Sequence, residues 1–388
     1  MKSSTDRILT THVGSLARPA KLLAMLLADG RGETVDRAVL GAEIDAAVTD
    51  TVAKQVANGI DIVNDGEMSK TAYTFYVMRS LSGMEVAPAG SGAGPESIDN
   101  LDYPDYAEMQ KRARGNMSQI MDFPICTGPV AYRNIKPLQD DLVRLKAAAT
   151  VAGAHDIFVP TASPGVLVRF IRNQYYKTED DYLAALGAAM RVEYEAIYAA
   201  GFVLQLDCPD LGSSRNNVYR DLSDDEFLKI AERHIEVLND ATRNIPSDSI
   251  RMHLCWGNYE GPHTHDIELA KIAPVAFKSR ARAISFEAAN PRHEHEWEDM
   301  MNVKIPDDRI LIPGVLDSTS NFVEHPKLIS QRICNWAGVV GRERVIAGAD
   351  CGFGTFGVRP PTVAPSIVWA KFRAMAEGAE RATKRLWN

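Results

Sequence analysis

The sequence predicts an α/β protein built as a (β/α)8 barrel, and three observations support this. Short apolar runs of strand length alternate with longer runs of helical spacing, which is the order of a parallel sheet with helices outside it. Nine strand-like runs are present, one more than a barrel needs. The 388 residues exceed the typical barrel length of about 250, which leaves room for extra N-terminal helices and inserted loops.

The strand candidates share a short apolar core bounded by polar or turn residues. They are Ile8–Val13, Ile60–Val63, Phe123–Cys126, Ile157–Pro160, Phe202–Leu206, Ile250–Cys255, Ala283–Phe286, Ile310–Pro313 and Val345–Ala347. Helical patterns lie between most of them, and Ser223 is predicted to cap one of these helices, which carries acids in its first turn. A doubly wound sheet is the alternative, but no G-x-G-x-x-G follows the first strand, which disfavours dinucleotide binding.

The whole chain, residues 1–388, is predicted to form one barrel domain. A stretch rich in Gly, Pro and Asp, APAGSGAGPESIDNLDYPDY, indicates a loop-rich excursion around residues 85–118 rather than a linker between domains. The long C-terminal helix can pack on the barrel or on a partner chain, so the sequence leaves a homo-oligomer open.

Composition excludes several classes of protein. The net charge is −8 and no long basic run occurs, which argues against nucleic-acid binding. No apolar run reaches about 18 residues, so no membrane-spanning helix is expected, and the N-terminus lacks the apolar segment of a signal peptide. The five cysteines are odd in number and scattered, which argues against a disulfide framework and for a reducing cytoplasm.

Nearly every strand candidate ends in residues capable of chemistry. In a barrel enzyme the site is built at the carboxyl ends of the strands, so this repeated pattern predicts an active-site rim and an enzyme. The strand-end residues are His12, Ser15, Asp65, Glu67, Asp207, Cys208, Asp210, His253, Cys255, Asn258, Glu287, Asn290, Asp317, Asp350 and Cys351.

A metal site is one reading of these strand ends. His253 and Cys255 are two residues apart, so in a strand they share one face. With Cys351 and Glu287 at later strand ends, they form a ligand set that suits zinc. Spacing alone leaves the alternative open that His253 is a hydrogen-bonded core histidine and Cys255 a small buried hydrophobe.

At these residues the chain resembles the catalytic barrel of cobalamin-independent methionine synthase and its shorter relatives. The matching segments occur in the family's order over nearly the full length; they are TTHVGSLARP, VNDGE, CTGPVAY, LQLDCPD, HLCWGN, SFEAAN, IPGVLD and GADCGFGTF. The resemblance implies the barrel fold and a zinc ion held by His253, Cys255, Cys351 and, when no thiol is bound, Glu287. It implies that zinc provides a thiolate to attack an alkyl donor.

The resemblance also implies substrate-binding residues. Positions matching Ser15, Glu67 and Asp207 hold the amino-acid part of homocysteine in the synthases, and His12 in the first segment is added to this set. The small-molecule partners are therefore a thiol and a methyl or alkyl donor. The alternative for Asp207 is an acid that caps a helix or supports another residue.

Departures from the synthase pattern leave the donor open. The segment associated with folate is not recognisable, and Thr319 stands where the synthases carry a proton-donating histidine. Additional histidines occur in CWGNYEGPHTHD and EAANPRHEHEWE. A methyl donor other than folate is one interpretation, and addition of a thiol to an epoxide, as in epoxyalkane:coenzyme M transferase, is the other. The candidates for the catalytic acid are His263, His293, His295 and Asp317.

Two further alternatives remain. The acids of RHEHEWE are also typical of a solvated helix start, where negative charge is favoured. A sulfonate-bearing thiol would need a cation such as Arg18, Arg133 or Arg215 at the mouth.

A lyase of the uroporphyrinogen decarboxylase type, working without metal, is the alternative from another class of enzyme.

Overall fold

A computed structural model of the protein describes residues 1–86, 95–114, 124–355, 357 and 360–388. Its strands are β1 (Ile62–Val63), β2 (Met84–Val86), β3 (Pro124–Cys126), β4 (Asp156–Ala162), β5 (Arg172–Asn173), β6 (Val203–Cys208), β7 (Ile250–Leu254), β8 (Ala283–Phe286), β9 (Ile310–Leu316) and β10 (Gly348–Ala349).

Helices follow most of these strands. They are α1 (Ala20–Gly30), α2 (Arg37–Ala57), α3 (Tyr73–Ser80), α4 (Ile98–Asp102), α5 (Pro104–Arg114), α6 (Lys136–Ala152), α7 (Pro164–Phe170), α8 (Glu179–Ala199), α9 (Asp224–Ala241), α10 (Leu269–Ala276), α11 (Glu296–Met300), α12 (Pro326–Val340) and α13 (Pro365–Trp387).

The main sheet is a parallel barrel. Seven strands follow the order β1-β4-β6-β7-β8-β9-β10. The segment around Thr10 and Thr11 closes the ring, because Thr10 pairs in parallel with Ala347 and Thr11 with Ile62. The Thr11 N–H donates to the Ala347 carbonyl at 2.8 Å, and the Ile62 N–H donates to the Thr10 carbonyl at 3.1 Å. The predicted (β/α)8 barrel is confirmed.

The strand register brings the polar strand ends together. All neighbours in the main sheet run parallel, so their carboxyl ends lie at one mouth of the barrel. Asp207 of β6 pairs with His253 of β7, and His253 pairs with Ser285 of β8. Residues that lie far apart in the sequence therefore become neighbours at this mouth.

The extra strand candidate belongs to a second, small sheet. Strand β3 pairs antiparallel with β2 and parallel with β5, so the predicted run Phe123–Cys126 is not a barrel strand. Phe123 itself lies outside the described residues. The other eight candidates correspond to the eight segments of the barrel.

The predicted excursion at 85–118 is less loop-rich than expected. Residues 85 and 86 end β2, and residues 95–114 are mostly helical, because Ser97 caps α4 and Pro104 starts α5 with Asp105 in the first turn. The Gly/Pro-rich part of the prediction, residues 87–94, and residues 115–118 lie outside the described residues.

The core has two parts. One cluster fills the barrel with residues from successive strands, namely Leu9, Ile62, Phe158, Val203, Ala283, Ile310, Ile312 and Ile346. A larger cluster lies between the strands and the surrounding helices. This division follows from the alternation of side chains along a strand, which sends successive residues to opposite faces.

Helix ends follow the expected chemistry. Ser223 caps α9 in a capping box with Glu226, as its sequence predicts. The C-terminal helix α13 packs on the barrel against α12, and the contact is so close at Gly378 that an added Cβ would meet Ile329 at 2.4 Å. Within the described ranges, no helix combines the length and apolar character needed to cross a bilayer.

Candidate metal centre

Three soft ligands meet at the mouth of the barrel. His253 lies in β7, Cys255 directly follows it, and Cys351 lies two residues beyond β10. The ligand atoms of the three residues all lie within 4.8 Å of one another, and all three residues are buried. The Cys255 and Cys351 Sγ atoms are 3.8 Å apart.

This spacing fits a shared metal ion rather than a disulfide. A disulfide would place the sulfur atoms about 2.05 Å apart. Two sulfurs, each about 2.3 Å from one tetrahedral zinc ion, lie about 3.8 Å apart. The Cys255–Cys351 separation of 3.8 Å matches the second arrangement.

His253 provides a neutral imidazole to this cluster. Burial and the positive charge of Arg251 lower the pKa of His253 to about 3, and the Ser285 backbone opposes the shift. Both ring nitrogens are buried, and neither has a hydrogen bond of good geometry to a described residue. A buried nitrogen without a partner is costly, and a metal ion would supply the missing partner.

The Cys255 thiol is protonated when no cation is present. The neighbouring Cys351 thiol and burial raise the pKa of Cys255 well above its usual value. A metal ion reverses this balance, because it binds the thiolate form. The donor set of one imidazole and two thiols therefore fits zinc.

Glu287 lies beside the cluster, but its carboxylate has other partners. It directly follows β8, and its Oε1 accepts a hydrogen bond from the Trp256 N–H at 2.8 Å. Its Oε2 accepts from Asn290 Nδ2 at 3.0 Å. Burial raises the pKa of Glu287 well above its usual value, and the nearby Cys255 adds to this shift. Glu287 is not part of the set within 4.8 Å.

Asp350 ties the strand ends of Glu287 and Cys351 together. Its Oδ1 accepts from the Ala288 and Ala289 N–H groups at 2.8 and 2.9 Å, and its Oδ2 accepts from the Asn290 N–H at 2.9 Å. These bonds fix the backbone after β8 against the end of β10.

A cavity of about 860 Å³ opens over the cluster. It is lined on one side by polar residues that include Ser15, Arg18, Glu67, Asp207, His253, Cys255 and Cys351. Apolar residues line it elsewhere, among them Leu23, Phe170, Phe353, Pro360, Pro361 and Pro365. The cavity is large enough for two small molecules to meet.

Glu67 and Arg18 form a buried pair in the cavity wall. Arg18 Nη2 lies 3.1 Å from Glu67 Oε2, and Arg18 Nη1 donates to Ser15 Oγ at 2.9 Å. Burial raises the pKa of Glu67, while the charges of Arg18 and Lys70 oppose the shift. Glu67 has a φ of +58°, a left-handed conformation that is uncommon for a residue with a side chain.

Asp207 faces the same cavity, and its negative charge is balanced less fully than that of Glu67. Its Oδ1 accepts a hydrogen bond from Gln205 Nε2 at 2.7 Å. Burial and the neighbouring Glu67 raise the pKa of Asp207 well above its usual range, while Arg251 opposes this. Two buried carboxylates, of which Glu67 raises the pKa of Asp207, make this end of the cavity favourable for a cation.

His12 is not among the residues that line the cavity, in contrast to the other three predicted substrate-binding residues. It is buried with Nε2 2.8 Å from Gln55 Oε1, and its ring packs against Phe158 and Phe372. Burial lowers the pKa of His12 to about 4. Its position is that of a core histidine.

The four predicted catalytic acids also lie outside the described cavity wall. His263 and His293 are buried behind it, and His295 is exposed with Nε2 3.9 Å from Asp299. Asp317 accepts hydrogen bonds from the backbone and hydroxyl of Thr319, both at 2.8 Å. Their predicted role as proton donors at the cavity is therefore not supported by their positions.

The cavity wall also contains Asn258, which the sequence predicted at the rim without a specific role. Asn258 donates to the Gly352 carbonyl at 2.6 Å and accepts from Ser318 at 3.0 Å, which joins three strand ends. Of the three arginines predicted for a sulfonate, Arg18 lines the cavity, but it is already bonded to Glu67 and Ser15. Arg133 and Arg215 are not among the described residues that line the cavity. The proximity of Asn258 to Cys255 in HLCWGN was the available signal.

No protein-family model matches the chain. The methionine synthase of Sulfurisphaera tokodaii is 23% identical over 349 residues, which cover 88% of this chain and 85% of that protein. The methionine synthase of Thermococcus kodakarensis is 23% identical over 380 residues, covering 97% and 94% of the two chains.

Among solved structures, a B12-independent methionine synthase from Shewanella sp. W3-18-1, in complex with selenomethionine, superposes with a TM-score of 0.73. It is 18% identical, with 98% of this chain and 99% of that chain covered, and it supports the fold. Each of these three matches covers most of this chain and most of the protein to which it is compared. The predicted resemblance is confirmed, and the chain is related to the cobalamin-independent methionine synthases.

Proposed function

We propose that the protein is a zinc-dependent methyltransferase that acts on a small thiol. The observation that carries this proposal is the convergence of His253, Cys255 and Cys351 on one cavity with Glu67 and Asp207. The relatives named methionine synthase support transfer of a methyl group to a thiol.

The chain offers a zinc site by its donor set. His253, Cys255 and Cys351 would hold the ion, since a neutral imidazole and two thiols are ligands that zinc prefers. When bound, zinc would lower the pKa of a thiol substrate and so supply a thiolate at neutral pH. Glu287 would be the fourth ligand without substrate, and Trp256 and Asn290 offer its carboxylate hydrogen bonds when it leaves.

Residues beside the metal cluster in the same cavity would bind the amino-acid part of the substrate. Among the described residues, Glu67 forms a salt bridge with Arg18, whereas Asp207 forms none, so a substrate ammonium would pair with the Asp207 carboxylate. Ser15 adds a hydroxyl beside them. A thiol amino acid of the homocysteine type fits this arrangement better than a thiol that carries only a negative group.

The donor is proposed to carry a methyl group. The cavity is also lined by apolar residues, which include Phe170, Pro360 and Pro361. The alternative, addition of the thiol to an epoxide, needs an acid for the epoxide oxygen. None of the four predicted acids lines the described part of the wall, which disfavours that alternative.

A cytoplasmic location is part of the proposal. All five cysteines are free thiols, as expected for a reducing compartment, and zinc–thiolate chemistry needs reduced cysteines. A homo-oligomer stays a prediction that these observations do not test.

A panel assay of zinc-loaded protein tests the proposal. Homocysteine, coenzyme M and glutathione are each incubated with methyl donors and with epoxides, and products are identified by mass spectrometry. We expect a methylated product from homocysteine. Full activity of a metal-free preparation would contradict zinc dependence, and no product from any thiol would favour the alternative of a lyase that works without metal.

A further inference from the structure

His263 and His293 belong to one buried network behind the cavity wall. His263 Nδ1 lies 2.7 Å from Asp266 Oδ2, and His293 Nε2 lies 3.2 Å from the same oxygen. On its other side, His293 Nδ1 lies 2.9 Å from Glu296 Oε2. The remaining nitrogen of His263, Nε2, lies 3.0 Å from the Tyr259 carbonyl oxygen.

With Asp266 and Glu296 ionised, the geometry fits two imidazolium cations. Each of the four ring nitrogens faces an oxygen that accepts hydrogen bonds: a carbonyl for one nitrogen and carboxylates for the other three. A neutral imidazole has one N–H, so it would leave an acceptor facing a nitrogen lone pair. Two cations and the two carboxylates of Asp266 and Glu296 also balance in charge.

The pKa shifts agree with this assignment. Burial acts to lower the pKa of His293, but its hydrogen bonds to Asp266 and Glu296 raise it to about 10. Burial also acts to lower the pKa of His263, but its hydrogen bond to Asp266 and the charge of that carboxylate raise the pKa overall. His263 has a φ of +53°, so the network also holds a backbone conformation that few residues with a side chain adopt.

The network joins the two segments that follow proposed zinc ligands. His263 and Asp266 belong to the segment after Cys255, and His293 and Glu296 belong to the segment after Glu287. Trp256 lies between the network and Glu287. Its ring centre is 4.6 Å from that of His293, and its backbone N–H donates to Glu287 Oε1. Its indole N–H donates to the Ile267 carbonyl at 2.7 Å.

We propose that His263 and His293 are positioning residues: a buried pair of imidazolium cations that favours Glu287 in its place against Trp256 and Asn290, away from the His253–Cys255–Cys351 cluster. The network fixes Trp256, the donor to Glu287, and the imidazolium of His293 against the Trp256 ring stabilises the Glu287 carboxylate when the metal does not hold it. This inference rests on the proposed zinc site and deepens it. It assigns a role to two histidines that do not reach the cavity.

The proposal predicts the direction in which loss of the His293 cation changes the affinity for zinc. If the cation at position 293 is removed, Glu287 loses stabilisation in its place away from the cluster and turns more readily to the metal. The substrate-free protein then binds zinc more tightly. Removal of a positive charge also reduces direct repulsion of the ion, so the part that passes through Glu287 must be isolated by a double-mutant cycle.

The experiment measures zinc dissociation constants of the full chain by competition with a chromophoric chelator, without thiol. We expect His293→Gln to tighten zinc binding roughly five- to tenfold, the scale expected for a nearby partly buried charge. In the Glu287→Gln background, the same change is expected to have less than about a twofold effect. His295→Gln is the matched control, because this exposed histidine lies two residues away outside the network. It should leave zinc affinity unchanged.

Equal effects of His293→Gln in both backgrounds would mean a merely structural role and overturn the proposal, as would no effect in either. If thermal melting shows that His293→Gln does not fold, Asp266→Asn, which removes the negative charge shared by both histidines at nearly constant shape, is taken through the same cycle. Failure of the proposed function is separate, since it would appear as no thiol methylation by the unaltered protein.

Discussion

Cys255 and Cys351 are separated by 96 positions in the sequence, yet their Sγ atoms lie 3.8 Å apart. They follow β7 and β10, which are not neighbours in the sheet. The contact is therefore made across the mouth of the barrel and depends on the closure of the ring. Such a pair is placed by the fold as a whole rather than by one local motif.

The first prediction concerns Glu287. Glu287→Gln should keep about one zinc per chain, because His253, Cys255 and Cys351 remain. Gln is a weaker metal ligand than a carboxylate, so a thiol competes with it more easily. We expect severalfold tighter thiol binding to the zinc-loaded variant, measured by calorimetry. Complete loss of zinc, or unchanged thiol affinity, would contradict the role of Glu287 as an exchangeable ligand.

The second prediction concerns recognition of the amino group. Glu67→Gln and Asp207→Asn should each raise the KM for homocysteine about 10- to 100-fold, as expected for loss of a charged hydrogen bond. Steady-state assays would also compare a thiol of the same length that lacks the ammonium. That substrate should lose little in either variant. Glu268→Gln, at an exposed acid, is the control.

An equal loss for both thiols would contradict this assignment. It would mean that Glu67 and Asp207 support the fold of the site instead of contacting the ammonium. Thermal melting of the two variants separates these explanations, because a damaged barrel mouth would lower the melting temperature.

The third prediction uses the buried position of His12. Burial lowers the pKa of His12 to about 4 from the ordinary value of 6.5, so the unfolded chain binds a proton in this range and the folded chain does not. The contribution of His12 to stability is therefore present above pH 6.5 and is lost as the pH falls to 4. The linkage amounts to about 3 kcal/mol.

Urea unfolding of the protein and of His12→Phe from pH 7 to 4 measures this effect. The stability of the unaltered protein should fall more steeply with decreasing pH than that of the variant. Parallel pH profiles, together with a large rise in the KM for homocysteine in His12→Phe, would restore the predicted role of His12 in substrate binding.

The sequence contains enough to predict the barrel and the cluster of ligands. Parallel strands end at one mouth, so the apolar runs before His253, Glu287 and Cys351 already place these side chains on the same rim. The period of two along a strand puts His253 and Cys255 on one face. The third strand candidate could not be excluded in this way, because an isolated run such as β3 does not reveal which sheet it joins.

The direction of a loop is harder to predict than the end of a strand. His263 and His293 belong to segments that follow proposed ligands, yet both turn to Asp266 behind the wall. The periodicity of a sequence does not predict that a loop folds back behind the wall, because this path depends on partners that are distant in the sequence. The position of His12 is equally hard to predict, because it depends on contacts with Gln55 and two aromatic rings in the core.

The zinc content of the purified protein tests the central claim most directly. Metal analysis by mass spectrometry should find about one zinc per chain in the unaltered protein and almost none in Cys255→Ala or Cys351→Ser, with methyl transfer to homocysteine lost in parallel. The control is Cys334→Ser, which alters a thiol in α12, outside the His253–Cys255–Cys351 cluster. Full zinc content and full activity in Cys351→Ser would contradict the proposed metal site.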